Sequence, residues 1–246
     1  MGTAALQIQG KAIPVWVLHV KQGFEEREQA IRHQLGERQI DFFWVLEHDK
    51  PDLRPDFIDR YFSGEMAAVQ AMTSCAAKHL QAWQNLVSSG APGALVLEDD
   101  IFLTPDFSPV FASILKEAQT KELLAQPVLF SLENSGLVFV PVEQRKAGTF
   151  LYPAMEMRCA GAYFISAPAA RVFLGLLETS KIDQPVDWWM KSRIENHEVK
   201  AFWSHPTIAE QGSHNGQFRS GIDGKSFGFF RKISWALQRW YKGIRN

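Results

Sequence analysis

Four apolar residues run directly into three acidic ones in the stretch ALVLEDDI, residues 94–101. The apolar run has the length and composition of a buried strand. Open α/β sheets bind ligands beyond the carboxyl ends of their parallel strands. Crowded carboxylates repel one another unless a cation neutralises them, and oxygen ligands suit a hard ion such as Mn²⁺ or Mg²⁺. The stretch therefore predicts a strand that ends in a ligand site, or else acids that only form the turn after it.

Strand and helix patterns alternate on both sides of this stretch. Residues 13–20 (IPVWVLHV) and 42–46 (FFWVL) predict buried strands, and a helical pattern lies between them. This order predicts a βαβ unit with parallel pairing. A long helix is predicted from 65 to about 88, with Met66 and Val69 on its buried face. Shorter elements follow: helices near 107–120, 168–177 and 187–194, and strands near 128–132, 161–166 and 200–203. The whole pattern predicts an α/β fold with a mostly parallel central sheet flanked by helices.

The composition is that of an ordinary globular protein. Of 246 residues, 46% are hydrophobic and 22% are charged, and the formal net charge is −1. A charge so close to zero gives no global basic field, so we expect no nucleic-acid partner. Cys75 and Cys159 are the two cysteines, and without a recognisable signal peptide they predict reduced thiols in a cytoplasmic protein.

The carboxyl-terminal residues differ from the rest in charge and pattern. From Arg219 onward there are seven basic residues against one acid. Within residues 227–246 the apolar side chains recur every three or four positions, which gathers them on one face of a helix. Such a basic helix suits the headgroup region of an anionic membrane, and its apolar face equally suits packing on the body of the protein. We therefore predict a main domain over residues 1–222 and a basic amphipathic helix over residues 223–246.

Five motifs follow one another along the chain: VWVLHVKQGFEERE (15–28), SCAAKHLQAW (74–83), ALVLEDDI (94–101), GAYFIS (161–166) and PVDWW (185–189). Taken in order, they resemble those of glycosyltransferase family 25, which includes bacterial lipooligosaccharide galactosyltransferases. The resemblance implies a GT-A-type fold and transfer of a hexose, galactose or glucose, from a UDP-sugar. The acceptor would be a hydroxyl of a lipooligosaccharide or another surface glycan, in most cases lipid-linked.

The resemblance also implies roles for the acidic residues. Glu98, Asp99 and Asp100 match the family's acidic motif, in which carboxylates hold a divalent ion, Mn²⁺ or Mg²⁺, against the donor diphosphate. We expect Glu98 and Asp100 to be the metal ligands, joined by His214 from a glycine-rich segment, which we prefer to His205. Asp187 matches a second acidic motif and would take the acceptor proton, or else cap the helix that begins beside it.

Further donor-binding residues are expected on the first strand and two helices. His19 ends the first strand and Arg27 lies on the helix after it, where each would contact the nucleotide or serve the structure alone. On the long helix, Lys78 would reach a phosphate or face solvent, and His79 would be a site residue or a core histidine. The complete predicted donor-binding set is His19, Arg27, Lys78, His79, Glu98 and Asp99.

These expectations describe a cytoplasmic enzyme, held reversibly at the inner face of the cytoplasmic membrane if the tail binds lipid. One alternative is a non-catalytic relative that binds a nucleotide sugar or a glycan and has lost turnover. Another is a glycosidase, which needs two acids on separate elements several ångströms apart. The single acidic run at 98–100 does not supply that arrangement by itself.

Overall fold

The computed structural model describes residues 7–8, 11–215 and 217–218. A seven-stranded sheet lies at the centre of this part of the chain. None of the described helices is long and apolar enough to cross a membrane. The predicted amphipathic helix over residues 223–246 lies outside the described residues.

The described strands, in chain order, are β1 (Gln7–Ile8), β2 (Lys11–Ala12), β3 (Val15–Leu18), β4 (Phe43–Val45), β5 (Gly93–Glu98), β6 (Ile101–Leu103), β7 (Val128–Ser131), β8 (Leu151–Ala154), β9 (Ala162–Ser166), β10 (Lys200–Ser204) and β11 (Ala209–Gln211). The described α-helices are α1 (Glu25–Glu37), α2 (Pro55–Tyr61), α3 (Ala71–Ser89), α4 (Phe107–Thr120), α5 (Ala167–Leu176), α6 (Val186–Glu195) and α7 (Gly212–Asn215).

The central sheet has the order β4-β3-β5-β9-β7-β10-β8. Strand β3 pairs in parallel with β4 and β5, and β10 pairs in parallel with β7. Strand β9 runs antiparallel between β5 and β7, and β8 runs antiparallel along β10. Five strands therefore run in one direction and two in the other, which agrees with the predicted α/β architecture and its βαβ unit. The carboxyl ends of β3, β5 and β7 meet at one edge.

Alternate side chains of the central strands enter two hydrophobic cores, one on each face of the sheet. On one face, α3, α5 and α6 cover the strands, and Trp83, Phe173 and Trp189 pack ring against ring with centroids 4.8–6.0 Å apart. On the other face, α1 and α4 cover the strands, and Phe111 packs near Phe164. Both cores anchor β5, so the acids at its end have a rigid support.

The long helix predicted from residue 65 is wrong at its start. A 3₁₀ turn covers Gly64–Ala67, residues 68 and 70 are extended, and α3 begins at Ala71. The break lets Met66 enter the core while its carbonyl oxygen accepts a hydrogen bond from the Thr73 hydroxyl at 2.8 Å. Val69, predicted on the buried face, lies in the break and is 56% exposed.

A close contact between β5 and β9 requires glycine at position 93. A Cβ atom on Gly93 would lie 2.2 Å from Phe164 Cζ and 2.8 Å from the carbonyl oxygen of Ile165. Since Phe164 is fully buried, its ring has no room to retreat. We expect Gly93→Ala to lower the free energy of unfolding by about 1–3 kcal/mol, the usual cost of overpacking, as measured by urea denaturation.

Gly175→Ala provides the matched control. Gly175 lies on α5, where an added Cβ atom meets nothing within 4 Å. Alanine favours the helical conformation, so this variant should keep or slightly raise the stability, by up to about 1 kcal/mol. Equal stabilities for the two variants would show that the β5–β9 contact does not restrict position 93.

Candidate active site

The acids of ALVLEDDI form what we call the acidic turn, residues Glu98, Asp99 and Asp100. Glu98 is the last residue of β5, and Asp99 and Asp100 make the tight turn into β6. Strand β6 pairs antiparallel with β11, so the segment after β11 returns to the acidic turn. The turn thus lies at the carboxyl end of a buried strand, as the sequence predicts.

Asp99 is bound by two side chains of the first βαβ unit. The Nδ1 atom of His19, just beyond β3, lies 2.7 Å from Asp99 Oδ2. Arg27 on α1 donates from Nη1 to Asp99 Oδ1 at 3.0 Å, and its guanidinium lies 4.4 Å from the centre of the Phe24 ring. His19, Arg27 and Asp99 are all buried. Asp99 therefore holds two of the predicted donor-binding residues beside the acidic turn.

Asp100 has one carboxylate oxygen without a partner. Its Oδ2 atom accepts a hydrogen bond from the backbone N–H of Ser213 at 3.2 Å, and its Oδ1 atom is buried with no hydrogen-bond partner among the described residues. Burial, reinforced by the negative charge of Glu98, raises the pKa of Asp100 to about 6. A desolvated carboxylate oxygen with no partner is costly, and a cation would relieve that cost. Asp100 thus fits a hard divalent ion.

Glu98 lies between α3 and the segment that follows β10. Its Oε2 atom accepts a hydrogen bond from Gln211 Nε2 at 3.0 Å. Its Oε1 atom lies 3.4 Å from His79 Nε2 and 3.8 Å from Cys75 Sγ. The Glu98 side chain is 24% exposed, so solvent and small ions reach its carboxylate.

His79 combines the two roles that the sequence left open. It is fully buried like a core histidine, yet its Nε2 atom faces Glu98 in the site. The Trp83 indole N–H donates to Tyr163 Oη at 3.0 Å, and Tyr163 Oη lies 2.9 Å from His79 Nδ1. Since Tyr163 already accepts from Trp83, we assign its own proton to the bond with Nδ1, which leaves Nε2–H to face Glu98.

Lys78 is buried, so the alternative in which it faces solvent is wrong. Its Nζ atom donates to the carbonyl oxygen of Glu47 at 2.7 Å and lies 2.8 Å from Asp49 Oδ1. Lys78 therefore connects α3 to the loop after β4 and holds that loop in place. A cleft of about 300 Å³ opens at the same loop, and its lining residues are Lys21, Glu47, His48, Asp52, Arg54 and Phe57.

Asp187 lies in the first turn of α6. Its Oδ1 atom accepts a hydrogen bond from the backbone N–H of Trp188 at 3.0 Å, so it satisfies one N–H at the start of the helix. Burial raises the pKa of Asp187, the charge of Glu98 acts in the same direction, and His79 opposes it. Trp188 beside it is 63% exposed, whereas Trp189 is fully buried.

The segment from β11 to α7 closes over the acidic turn. The backbone N–H of Gly212 donates to the carbonyl oxygen of Asp100 at 2.7 Å. A Cβ atom on Gly212 would lie 2.6 Å from the Phe218 ring and 2.7 Å from the Phe102 ring, so glycine permits this approach. The backbone of His214 belongs to α7, but its side chain lies outside the described residues. Its predicted role as a metal ligand stays a prediction.

Glu133 is a site residue that the sequence pattern did not single out. It is fully buried, and its Oε1 atom accepts from the backbone N–H groups of Gly161 at 2.6 Å and Ala162 at 3.1 Å. Its Oε2 atom accepts from the Ser135 hydroxyl, which in turn accepts from the backbone N–H of Gln211 at 3.0 Å. Burial raises the pKa of Glu133 to about 8. The available signal was an acid soon after a buried strand, as at Glu98.

A buried arginine, Arg158, lies beside Glu133. Arg158 donates from Nη1 to the carbonyl oxygens of Glu133 at 3.3 Å and Ser204 at 3.1 Å. Its guanidinium lies 4.9 Å from the centre of the Trp203 ring. Burial lowers the pKa of Arg158 to about 9, and the nearby charge of Glu133 opposes that change.

In open α/β sheets ligands bind beyond the carboxyl ends of the strands, and here that position on β5 carries three acidic residues. The chain matches the family model described as glycosyltransferase family 25 (LPS biosynthesis protein) over residues 22–190. That range covers more than half of the chain and contains Arg27, the acidic turn and Asp187. The protein belongs to glycosyltransferase family 25, and the resemblance noted in its motifs is confirmed. No curated protein matches the chain.

Replacement of Glu133 by glutamine should make stability less dependent on pH. Between its ordinary pKa of 4.5 and the folded value of about 8, Glu133 holds a proton in the folded state that it loses on unfolding. The free energy of unfolding of the native protein should therefore fall as pH rises through this window, by up to about 1.4 kcal/mol per pH unit from this group. Glu133→Gln stays neutral and keeps an acceptor for the two N–H groups.

The measurement is urea denaturation of both proteins at about pH 5 and about pH 8. By the linkage relation, ionisation of Glu133 on unfolding lowers the free energy of unfolding of the native protein slightly at the lower pH and strongly at the higher pH. The free energy of unfolding of Glu133→Gln should therefore increase relative to that of the native protein as pH rises. The exposed Glu178→Gln variant controls for the loss of one negative charge. A constant difference between Glu133→Gln and the native protein at both pH values would contradict the raised pKa.

Proposed function

We propose that this protein is a metal-dependent hexosyltransferase of GT-A type that moves galactose or glucose from a UDP-sugar to a glycan hydroxyl. Its family supports glycosyl transfer and a role in LPS biosynthesis. The observation that carries the metal-dependent part is the Oδ1 atom of Asp100, in the turn after β5, which is buried without a hydrogen-bond partner in the described part of the chain. The acceptor in this proposal is a lipooligosaccharide or another surface glycan.

Asp100 and Glu98 are the proposed ligands of the ion, Mn²⁺ or Mg²⁺, with His214 as a further proposed ligand. When bound, such an ion would neutralise the negative charge that builds on the leaving diphosphate. Asp99 contributes indirectly, because its two oxygens keep His19 and Arg27 at the edge of the same turn. Arg27, paired with Asp99, is thereby held beside the place where an anionic donor would bind.

The cleft beside β3 and β4 is the proposed site of the donor nucleotide. Lys21 follows β3, and Glu47 and His48 follow β4, so the cleft opens at the carboxyl ends of two neighbouring parallel strands. The His48 ring stacks on Phe57 with centroids 4.3 Å apart and an interplanar angle of 16°, which offers a flat surface. Lys78 supports this cleft by holding the Glu47 carbonyl.

Asp187 is the proposed base that removes the acceptor proton. A carboxylate with a raised pKa is a stronger base, and burial raises the pKa of Asp187. The exposed indole of Trp188 stands next to it and would offer a face for a sugar ring. The hydrogen bond from the Trp188 N–H orients the Asp187 carboxylate and still leaves it lone pairs for a proton.

The proposed place of action is the cytoplasmic face of the membrane, where a lipid-linked acceptor would be reached. The support is the sequence of residues 223–246, whose basic and aromatic side chains suit an anionic surface. In this proposal, residues 1–222 form the transferase domain.

Asp100→Asn should abolish the metal dependence of donor binding. Asparagine keeps the size of the side chain and an acceptor for Ser213, but it removes the charge that a hard cation requires. Isothermal titration with UDP-galactose or UDP-glucose, with and without Mn²⁺, should show at least about tenfold weaker metal-dependent binding, equivalent to about 1.4 kcal/mol.

Asp106→Asn is the matched control, since Asp106 is exposed at the start of α4 and makes no capping hydrogen bond. This variant should bind the donor like the native protein. Unchanged Mn²⁺ dependence in Asp100→Asn would reject the proposed metal site.

Asp187→Asn should preserve donor affinity and lower kcat by a factor of about 10² or more, the usual scale for a general base. Steady-state transfer kinetics give kcat, and a separate titration gives the donor affinity, for the native protein and for Asp187→Asn. The variant Asp183→Asn, at an exposed position, is the control. If Asp187→Asn kept the kcat of the native protein, Asp187 would not be the base, and its role would be the hydrogen bond at the start of α6.

A further inference from the structure

Three side chains of different chemistry converge beside the acidic turn. Cys75, His79 and Glu98 each contribute one potential ligand atom, and these atoms lie within 4.8 Å of one another. Cys75 and His79 are four residues apart on α3, so they lie on one face of the helix. Thiolate, imidazole and carboxylate are the groups that bind zinc in proteins.

The two distances to Glu98 Oε1 suit a shared ion better than direct hydrogen bonds. His79 Nε2 lies 3.4 Å from Glu98 Oε1, beyond the usual range of about 2.7–3.2 Å for an N–H···O bond. Cys75 Sγ lies 3.8 Å from the same oxygen. Around a tetrahedral zinc ion with bonds of about 2.0 Å to nitrogen and oxygen and about 2.3 Å to sulfur, neighbouring ligand atoms are about 3.3–3.5 Å apart. Both observed distances are within about 0.3 Å of those values.

The surroundings hold the ligands in place. Tyr163, itself bound by Trp83, contacts Nδ1 of His79 at 2.9 Å, and this leaves Nε2 directed at the cluster. A hydrogen bond at the second ring nitrogen is the usual support of a metal-binding histidine. In the metal-bound form the His79 proton moves from Nε2 to Nδ1, and Tyr163 Oη accepts a hydrogen bond from Nδ1–H in place of donating one. Gln211 fixes the other oxygen of Glu98 at 3.0 Å. Cys75 is only partly buried, so an ion can enter.

We infer that Cys75, His79 and Glu98 form a second cation site, one that selects a borderline-soft ion such as Zn²⁺. The thiolate provides the selectivity, because sulfur ligands favour zinc over the hard ions Mg²⁺ and Mn²⁺. Three protein ligands leave a fourth coordination position open to water or to another ligand. This site shares the ligand Glu98 with the one proposed at Asp100, and the ligands Cys75 and His79 on α3 distinguish it.

The test is metal titration of the full-length, tag-free protein under reducing conditions. Co²⁺, which takes zinc sites and reports their ligands, should give a thiolate-to-cobalt charge-transfer band in the near ultraviolet, and Zn²⁺ should displace it. Cys75→Ser should lose this band and bind Zn²⁺ at least about tenfold more weakly, equivalent to about 1.4 kcal/mol. Cys159→Ser is the matched control, because Cys159 is the other cysteine and lies outside the cluster; it should behave like the native protein.

Asp100→Asn separates this site from the proposed catalytic ion. It should keep the cobalt band and the zinc affinity whether or not donor binding needs Mn²⁺. Circular dichroism of each variant verifies that it is folded, and Glu98→Gln provides a second ligand variant expected to weaken Zn²⁺ binding. Equal zinc affinity in the native protein and in Cys75→Ser, or the absence of a thiolate band with Co²⁺, would overturn the inference.

Discussion

Buried negative charge at the carboxyl end of the central sheet is the constraint on which this structure depends. Glu98, Asp99 and Asp100 lie at the end of β5, and Glu133 follows β7, which β9 separates from β5 in the sheet. Asp99, Asp100 and Glu133 are almost fully removed from solvent. A buried carboxylate is stable only when it is protonated, hydrogen-bonded or paired with a cation. The protein uses a different solution for each acid, and those solutions define the site.

Asp99 is paired with Arg27 and bonded to His19. These two contacts connect α1 and the end of β3 to the turn after β5. Glu133 accepts two backbone N–H groups and the Ser135 hydroxyl, and its raised pKa favours the protonated form near neutrality. Asp100 alone among these acids keeps a buried oxygen with no partner in the described residues. Asp99 and Glu133 are thus satisfied by partners within the protein, Glu98 is partly exposed to solvent, and Asp100 is left with one unbonded oxygen among the described residues.

Helix α3 links the core to this chemistry. One of its faces carries Trp83 into the hydrophobic core, while Lys78 and His79 extend from neighbouring positions toward the loop after β4 and toward Glu98. The Trp83–Tyr163–His79 chain therefore couples core packing to the orientation of a site residue. Since these groups are buried, their geometry changes little without disturbing the core, and that rigidity preorganises the acidic turn.

The sequence alone determined the class of fold, the strand that carries the acidic turn, and the family, because these depend on local periodicity and on short contiguous motifs. It placed His19, Arg27, His79 and the three acids near one another, since each follows or flanks an element of the same predicted sheet. It left the roles of His79 open and did not single out Glu133, and its solvent alternative for Lys78 was wrong. Those questions were decided by partners far away in the chain: Tyr163 for His79, the Glu47 carbonyl for Lys78, and the backbone of Gly161 and Ala162 for Glu133. The burial of a charged group, and therefore its pKa and its use, is a property of the packed structure, and no local pattern encodes it.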